Sequence, residues 1–193
     1  RWMALILGAY FCAGFGYVIS ATFIVAIVDK LPGLQGQGAL AFLAIGLAAA
    51  PACINWDFIA RYIGDLNALI LAALLQIVGI VLPVAVGGLI PTLFGALLFG
   101  GTFIGMVSLV LTMAGRFYPT RPAKMMGKMT ISYGAAQIIG PAVVGWLATR
   151  LDDYSIGLYL AGGMMVVGTV LLAILKLVEK RDAAVALQPC LQN

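Results

Sequence analysis

Histidine is absent from this chain of 193 residues, and only seven residues are acidic. Without imidazole there is no general base of the usual kind and no histidine metal ligand. The three cysteines, Cys12, Cys53 and Cys190, are odd in number and share no metal-ligand spacing. Zinc, haem and disulfide frameworks are therefore poorly served, and Cys12 and Cys53, both inside apolar stretches, read as small packing residues. Charged residues make up 9% of the chain, whereas soluble domains carry about 25%. The cations form no patch interleaved with exposed aromatics, so nucleic acid is not expected as a partner. Nothing resembles a catalytic dyad, a phosphate-cradling loop or a nucleophile beside a base. The expectation is no enzyme, no catalytic residue, no cofactor and no metal.

What the chain has in excess is apolar length. Hydrophobic residues make up 63% and mean hydropathy is +1.10. A soluble body of this size could not hide so much apolar surface, so lipid must be the solvent. Six apolar runs stand out, at residues 3–28, 39–56, 66–86, 89–114, 129–147 and 156–175. Each is long enough to cross or nearly cross a hydrocarbon core of about 30 Å. The predicted fold is an all-α membrane protein of six transmembrane helices. Residues 1–178 form that domain, and residues 179–193 form a short, poorly ordered cytoplasmic tail.

The positive charges sort by gap. Arg1, Arg61, Arg116, Arg121, Lys124, Lys128, Lys176, Lys180 and Arg181 lie at the two ends and in the even-numbered gaps. Only Lys30 and Arg150 fall in odd-numbered gaps, leaving nine of the 11 cations on one side. By the positive-inside bias, both termini and the even gaps are cytoplasmic, and the protein is multi-pass in the cytoplasmic (inner) membrane. Residues 29–38, with Pro32, Gly33, Gly36 and Gly38, read as an external loop, and Gly87-Gly88 as a tight external hairpin. Residues 57–65 and 116–124 read as cytoplasmic gaps. Asp152 and Asp153 read as a solvated external turn. The first residue is Arg1 rather than Met, which reads as a fragment of a longer chain.

Small residues recur at helical spacing inside the runs. Gly8, Cys12, Gly16 and Ser20 make one stripe; Gly101 and Gly105, continued by Ser108 and Thr112, make another; Ala136 and Gly140 make a third. Hydrocarbon gives no hydrophobic drive between helices, so close backbone approach has to supply the packing energy. Gly16, Gly101, Gly105 and Gly140 are accordingly expected at helix contacts.

No run carries an ionisable side chain near its centre, which removes the usual marks of a proton relay or ion path. The polar groups inside are neutral: Tyr17, Ser20 and Thr22 in the first run, Gln76 in the third, Thr102, Ser108 and Thr112 in the fourth, Thr130, Ser132, Tyr133 and Gln137 in the fifth. A buried amide in hydrocarbon needs a partner, so Gln76 and Gln137 face either the bundle or a wet cavity. Ser and Thr hydroxyls can also bond back to their own helix. Asp57, Arg61 and Asp65, spaced by four, would form a ladder on a helix. That ladder reads either as an ion pair fixing the interface or as a gate that breaks in a second conformation.

Residues 57–65 resemble a degraded copy of the loop signature of the major facilitator superfamily, Gly-x-x-x-Asp-Arg-x-Gly-Arg-Arg. Gly64 matches outright, Asp57 stands at the first Gly, Arg61 at the Asp and Asp65 at a basic position. Gly140-Pro141, after Gln137, resembles the Gly-Pro signature of helices five and eleven, where Pro141 would kink the helix. Residues 14–23 resemble the start of the second half of the YbfB/YjiJ subgroup. The resemblance implies a C-terminal six-helix half, with a missing N-terminal six-helix half as its partner. It further implies rocker-type alternating access with a small-molecule substrate between the halves. The first and fourth runs would line that path, with Tyr17, Ser20, Thr102 and Thr112 as candidates and Gln76 beside them. Asp57, Arg61, Gly64 and Asp65 are the loop-signature or gating candidates. Any proton-carrying carboxylate would have to lie in the other half. The weakly polar lining suits a small organic solute. The competing expectation is a non-transporting six-span scaffold or accessory subunit.

Overall fold

Backbone N–H and C=O groups have no water to bond in hydrocarbon, so apolar runs of this length close their hydrogen bonds internally as helices. The computed structural model describes residues 2–30, 35–151 and 155–187, and every regular element among them is helical. The elements are α1 (Trp2–Lys30), α2 (Gly38–Ala49), α3 (Ala52–Ile63), α4 (Asp65–Ala85), α5 (Leu89–Phe117), α6 (Pro122–Leu151) and α7 (Ser155–Leu187).

Several boundaries correct the expected ones. Residues 39–56 are not one helix: α2 and α3 meet at Ala50-Pro51 with a bend of 48°. Pro51 has no N–H to donate and its ring crowds the preceding turn, so the ladder breaks there. Residues 57–63, expected in a gap, continue α3 instead, and the chain turns at Gly64, whose φ of +89° suits glycine. The ladder of Asp57, Arg61 and Asp65 is therefore split, because Asp65 opens a different helix. α1 runs through Lys30, while residues 31–34 lie outside the described residues. Pro122 starts α6 inside the expected basic gap, as proline suits the first helical turn. α7 stays helical to Leu187, where a poorly ordered tail was expected. Arg1, Asp152, Asp153 and Cys190 lie outside the described residues. The hairpin at Gly87-Gly88 is present, with φ of +69° and +83°.

Among the described residues, four helices are long and apolar enough to cross a membrane, α1, α4, α5 and α7, and the bent α2–α3 pair makes a fifth if taken as one broken span. α6 is as long, at 30 residues, but Lys124, Lys128, Thr130, Ser132 and Gln137 dilute its apolar character. The exterior is apolar in the way lipid allows. Ile54, Ile90 and Ile138 are each more than 75% exposed, while Ser20, Gln76 and Thr102 are buried. A water-soluble fold places these classes the other way round.

α1 and α5 hold the bundle together. α1 packs on α7, α6 and α2, and α5 on α4, α2 and α3. Fully buried Ile6, Ile19, Leu69, Ile80, Met129 and Met165 fill the space between. Two close approaches set the spacing. The backbone of Gly79 lies against Gly95 and Phe99, and a Cβ on Gly105 would overlap the Trp56 indole. Trp56 is fixed in that seat by its Nε1–H, which donates to the Gly101 carbonyl at 2.6 Å.

Candidate functional site

Interhelix contacts set the depth of each candidate. Leu69 on α4, Ala9–Tyr10–Ala13 on α1 and Met106–Val110 on α5 enclose one small gap, so these stretches lie at one level. Two turns further along α4 is Gln76. An equal step along α1 reaches Tyr17 and Ser20, and the same step back along antiparallel α5 reaches Phe99 and Thr102. Four of the five substrate-path candidates thus share a level. Thr112 does not, because ten residues of α5 place it about 15 Å from Thr102, toward Arg116.

At this level the polar atoms differ in their bonding. Thr102 donates back to its own helix, to the carbonyls of Leu98 at 2.8 Å and Phe99 at 3.1 Å. Ser20 Oγ and Gln76 Oε1 are fully enclosed and have no hydrogen-bond partner among the described residues. Ser132 on α6 donates to the Leu7 carbonyl on α1 at 2.9 Å, the cross-helix bond that seats α6.

In front of these atoms stands a wall of rings that the sequence had not brought together. Tyr17 meets Phe103 at a centroid distance of 4.7 Å, Phe99 at 6.2 Å and Tyr133 at 6.0 Å. Tyr133 in turn meets Tyr10 at 4.7 Å. These are ordinary separations for stacked or tilted rings. Gly14 makes the α1–α6 part possible, because a Cβ there would come within 3.1 Å of the Tyr133 ring. Tyr17, Phe103 and Tyr133 are half-buried, whereas Phe99 and Tyr10 are buried behind them. One turn beyond Tyr133 on α6 lies half-buried Gln137. Pro141, four residues on, has no N–H for the Gln137 carbonyl, so this main-chain oxygen lacks its i+4 helix partner. An aromatic at helical spacing usually signals core packing, and sequence alone gave no ground for placing Phe103 and Tyr133 across from Tyr17.

The packing glycines lie on different faces. A Cβ on Gly16 would meet Met165 of α7 at 2.7 Å, and one on Gly140 would meet Val18 of α1 at 2.9 Å. Gly101 has more room, with Ala48 at 3.9 Å. Pro141 is half-buried inside α6.

Most of the described charges collect at the end of the bundle where α1 begins. Arg61 holds Asp57 through Nη2 at 2.7 Å and Nε at 3.0 Å, on the exposed face of α3. Asp65, at the start of α4, pairs instead with Arg116 of α5 at 2.6 Å. A carboxylate in the first turn also suits the helix dipole. Trp2 stacks on Phe117 at 3.8 Å and donates through Nε1 to Glu179 at 2.7 Å. Trp2, Asp65, Arg116, Phe117 and Glu179, with Lys176 and Lys180, rim a cavity of about 420 Å³. Among the described residues no group of three His, Cys, Asp or Glu could hold a metal ion.

The family model described as "Uncharacterised MFS-type transporter YbfB" matches residues 1–173. No curated protein matches the chain. Among solved structures, the chain is similar to the POT family transporter PepTSo, with a TM-score of 0.77 and 15% identity over 90% of this chain and 37% of that one. It is also similar to the fucose:proton symporter FucP of E. coli, with a TM-score of 0.76 and 12% identity over 91% of this chain and 43% of that one. A peptide transporter POT in complex with sulfate gives a TM-score of 0.75 and 21% identity over 97% of this chain and 43% of that one. At these identities the likeness concerns the fold, and the chain spans about two fifths of the length of each.

Proposed function

The chain belongs to the YbfB-type transporters of the major facilitator superfamily, and from that membership we propose that it forms the C-terminal six-helix half of a secondary transporter. In this reading α1, α4, α5, α6 and α7 each cross once, and the bent α2–α3 pair supplies the remaining crossing. Residues 1–178 make the membrane domain, with both ends on the cytoplasmic side of the cytoplasmic membrane, and residues 179–193 extend from it as the tail. The sorting of nine cations against two supports that orientation. A small organic solute passes between this half and an N-terminal half by alternating access. The observation that carries the proposal is the shared depth of Tyr17, Ser20, Gln76 and Thr102, where a charge-free, partly unsatisfied polar layer sits behind half-buried rings. Transporter sites lie near the midplane at the interface of repeats, and this level fits that position.

The remaining residues take the following roles. Thr112 lies further along the same path. Asp57, Arg61, Gly64 and Asp65 tie helix ends in one conformation and release them in the other, with Asp65–Arg116 as the pair that joins two helices. Gly16, Gly101, Gly105, Gly140 and Pro141 shape the contacts that let the six helices rock as one body. The topology is tested by cysteines placed singly at Gln35 and Thr120. Membrane-impermeant maleimide is expected to reach them from opposite faces; labelling of both from one face would overturn the reading.

A further inference from the structure

The geometry points to an uncharged solute carrying a planar aromatic ring, read by stacking on the wall of Tyr17, Phe103 and Tyr133. This deepens the transport reading and rests on it. The ring planes carry the argument first. Tyr17, Phe99 and Phe103 lie within 27° of one another. Such a layered set offers a flat face to a flat ring, whereas a cage for an organic cation surrounds its guest with rings at large angles. Phe99 is buried and backs the layer, Tyr17 and Phe103 are half-buried, and Tyr133 is tilted by 31° to Tyr17 at the side.

Charge narrows the class further. No Asp, Glu, Lys or Arg lies at this level on any of the described helices, so this half offers an ionised solute no counter-charge. Hydrogen-bonding capacity supplies the rest. The hydroxyls of Tyr17 and Tyr133 make no hydrogen bond among the described residues, and neither is among the fully enclosed unbonded polar atoms. They reach accessible surface with a donor and an acceptor to spare. Gln137, one turn from Tyr133, adds a side-chain amide and a main-chain carbonyl that lacks its i+4 N–H at Pro141. A ring bearing one or two neutral polar substituents matches this set; a hexose, which needs many directed polar contacts, does not.

The test uses the full-length protein in proteoliposomes, with its native cysteines replaced and a reporter introduced as Gly134→Cys, beside Tyr133, where an added Cβ meets nothing within 4 Å. The probes are 2-naphthamide and its saturated counterpart decahydronaphthalene-2-carboxamide, alike in size and amide but not in planarity, together with tetraethylammonium. 2-Naphthamide is expected to slow alkylation of the reporter at least fivefold while the other two leave it unchanged. Tyr17→Leu and Phe103→Leu should each weaken that protection about tenfold. Tyr17→Phe, which keeps the ring, should retain most of it, as should Phe58→Leu on the outer face of α3. Equal protection by both amides, protection by tetraethylammonium alone, or none by any probe would overturn the inference. The transport reading is scored separately, by whether impermeant reagents reach the same reporter from both faces of the membrane. Access from both faces with no naphthamide effect leaves transport standing and removes only the aromatic solute.

Discussion

At the Trp2 end of the bundle, Asp65 meets Arg116 at 2.6 Å and Trp2 bridges Phe117 and Glu179, with the charged groups partly or largely in solvent. Several turns inside, Tyr17, Phe103 and Tyr133 meet from three helices with no charge among them. The first region is held by contacts that water and salt can weaken, each contributing a fraction of a kcal/mol to about 1 kcal/mol. The second is held by ring faces and backbone approach, which salt does not touch and which tolerate little change of shape. The alternating access proposed above would draw on this division. Its ends can unlatch at small cost while its middle keeps one geometry.

The sharpest way to break the comparison is to overfill the middle. Gly105→Leu drives a side chain into the Trp56 indole, and overpacking of this kind costs about 1–3 kcal/mol or more. The expected result is a large loss of monodisperse protein on size exclusion. Gly140→Leu should act in the same direction but less, because its first contact, Val18 Cγ1 at 2.9 Å, overlaps less than the Trp56 indole does. Wild-type yield from both variants would mean that these faces look at lipid.

Removing an unsatisfied polar atom sharpens the comparison from the other side. Gln76→Leu abolishes an enclosed oxygen whose desolvation costs about 1–3 kcal/mol when it has no partner. Its melting temperature is expected to rise while transport falls. A lower melting temperature would show that Gln76 is bonded in the resting protein.

At the charged end the effects are smaller. A double-mutant cycle of Asp65→Asn and Arg116→Gln should give a coupling of about 0.2–1 kcal/mol that shrinks as salt is added. Coupling well above that range, insensitive to salt, would place the pair in a closed, dry seat. Asp57→Asn should do least, about 0.3–0.5 kcal/mol, since its i,i+4 partner Arg61 is exposed. A thermal melt with a loss several times larger would contradict that ranking.

Much of the architecture was open to reading. Apolar length placed helices in every one of the six runs, and Gly87-Gly88 marked a turn between two of them. Pro51 was equally visible, yet apolar continuity on both sides hid the break it makes between α2 and α3. Asp57, Arg61 and Asp65 looked like one ladder because spacing by four is periodic. It took the backbone of Gly64 to separate Asp65 and hand it to Arg116, 51 positions away. The site divides in the same manner. Tyr17, Ser20, Gln76 and Thr102 stood out as polar residues in apolar surroundings, and the bundle places them at one depth. Phe103 carried no such signal, and Tyr133 and Gln137 appeared only among several neutral polar groups of the fifth run.

Composition and hydropathy by themselves determined that this chain is helical and multi-pass. Backbone groups in lipid admit few other solutions, and lipid leaves a large, additive signal along the chain. Which side chains meet was decided only by the tertiary structure. Partners between helices depend on rotation and depth, and these are set by contacts such as Gly14 against Tyr133 and Gly105 against Trp56, between residues far apart in the chain. A difference of one residue in register, about 100° of rotation on a helix, would turn Tyr17 away from Phe103 altogether.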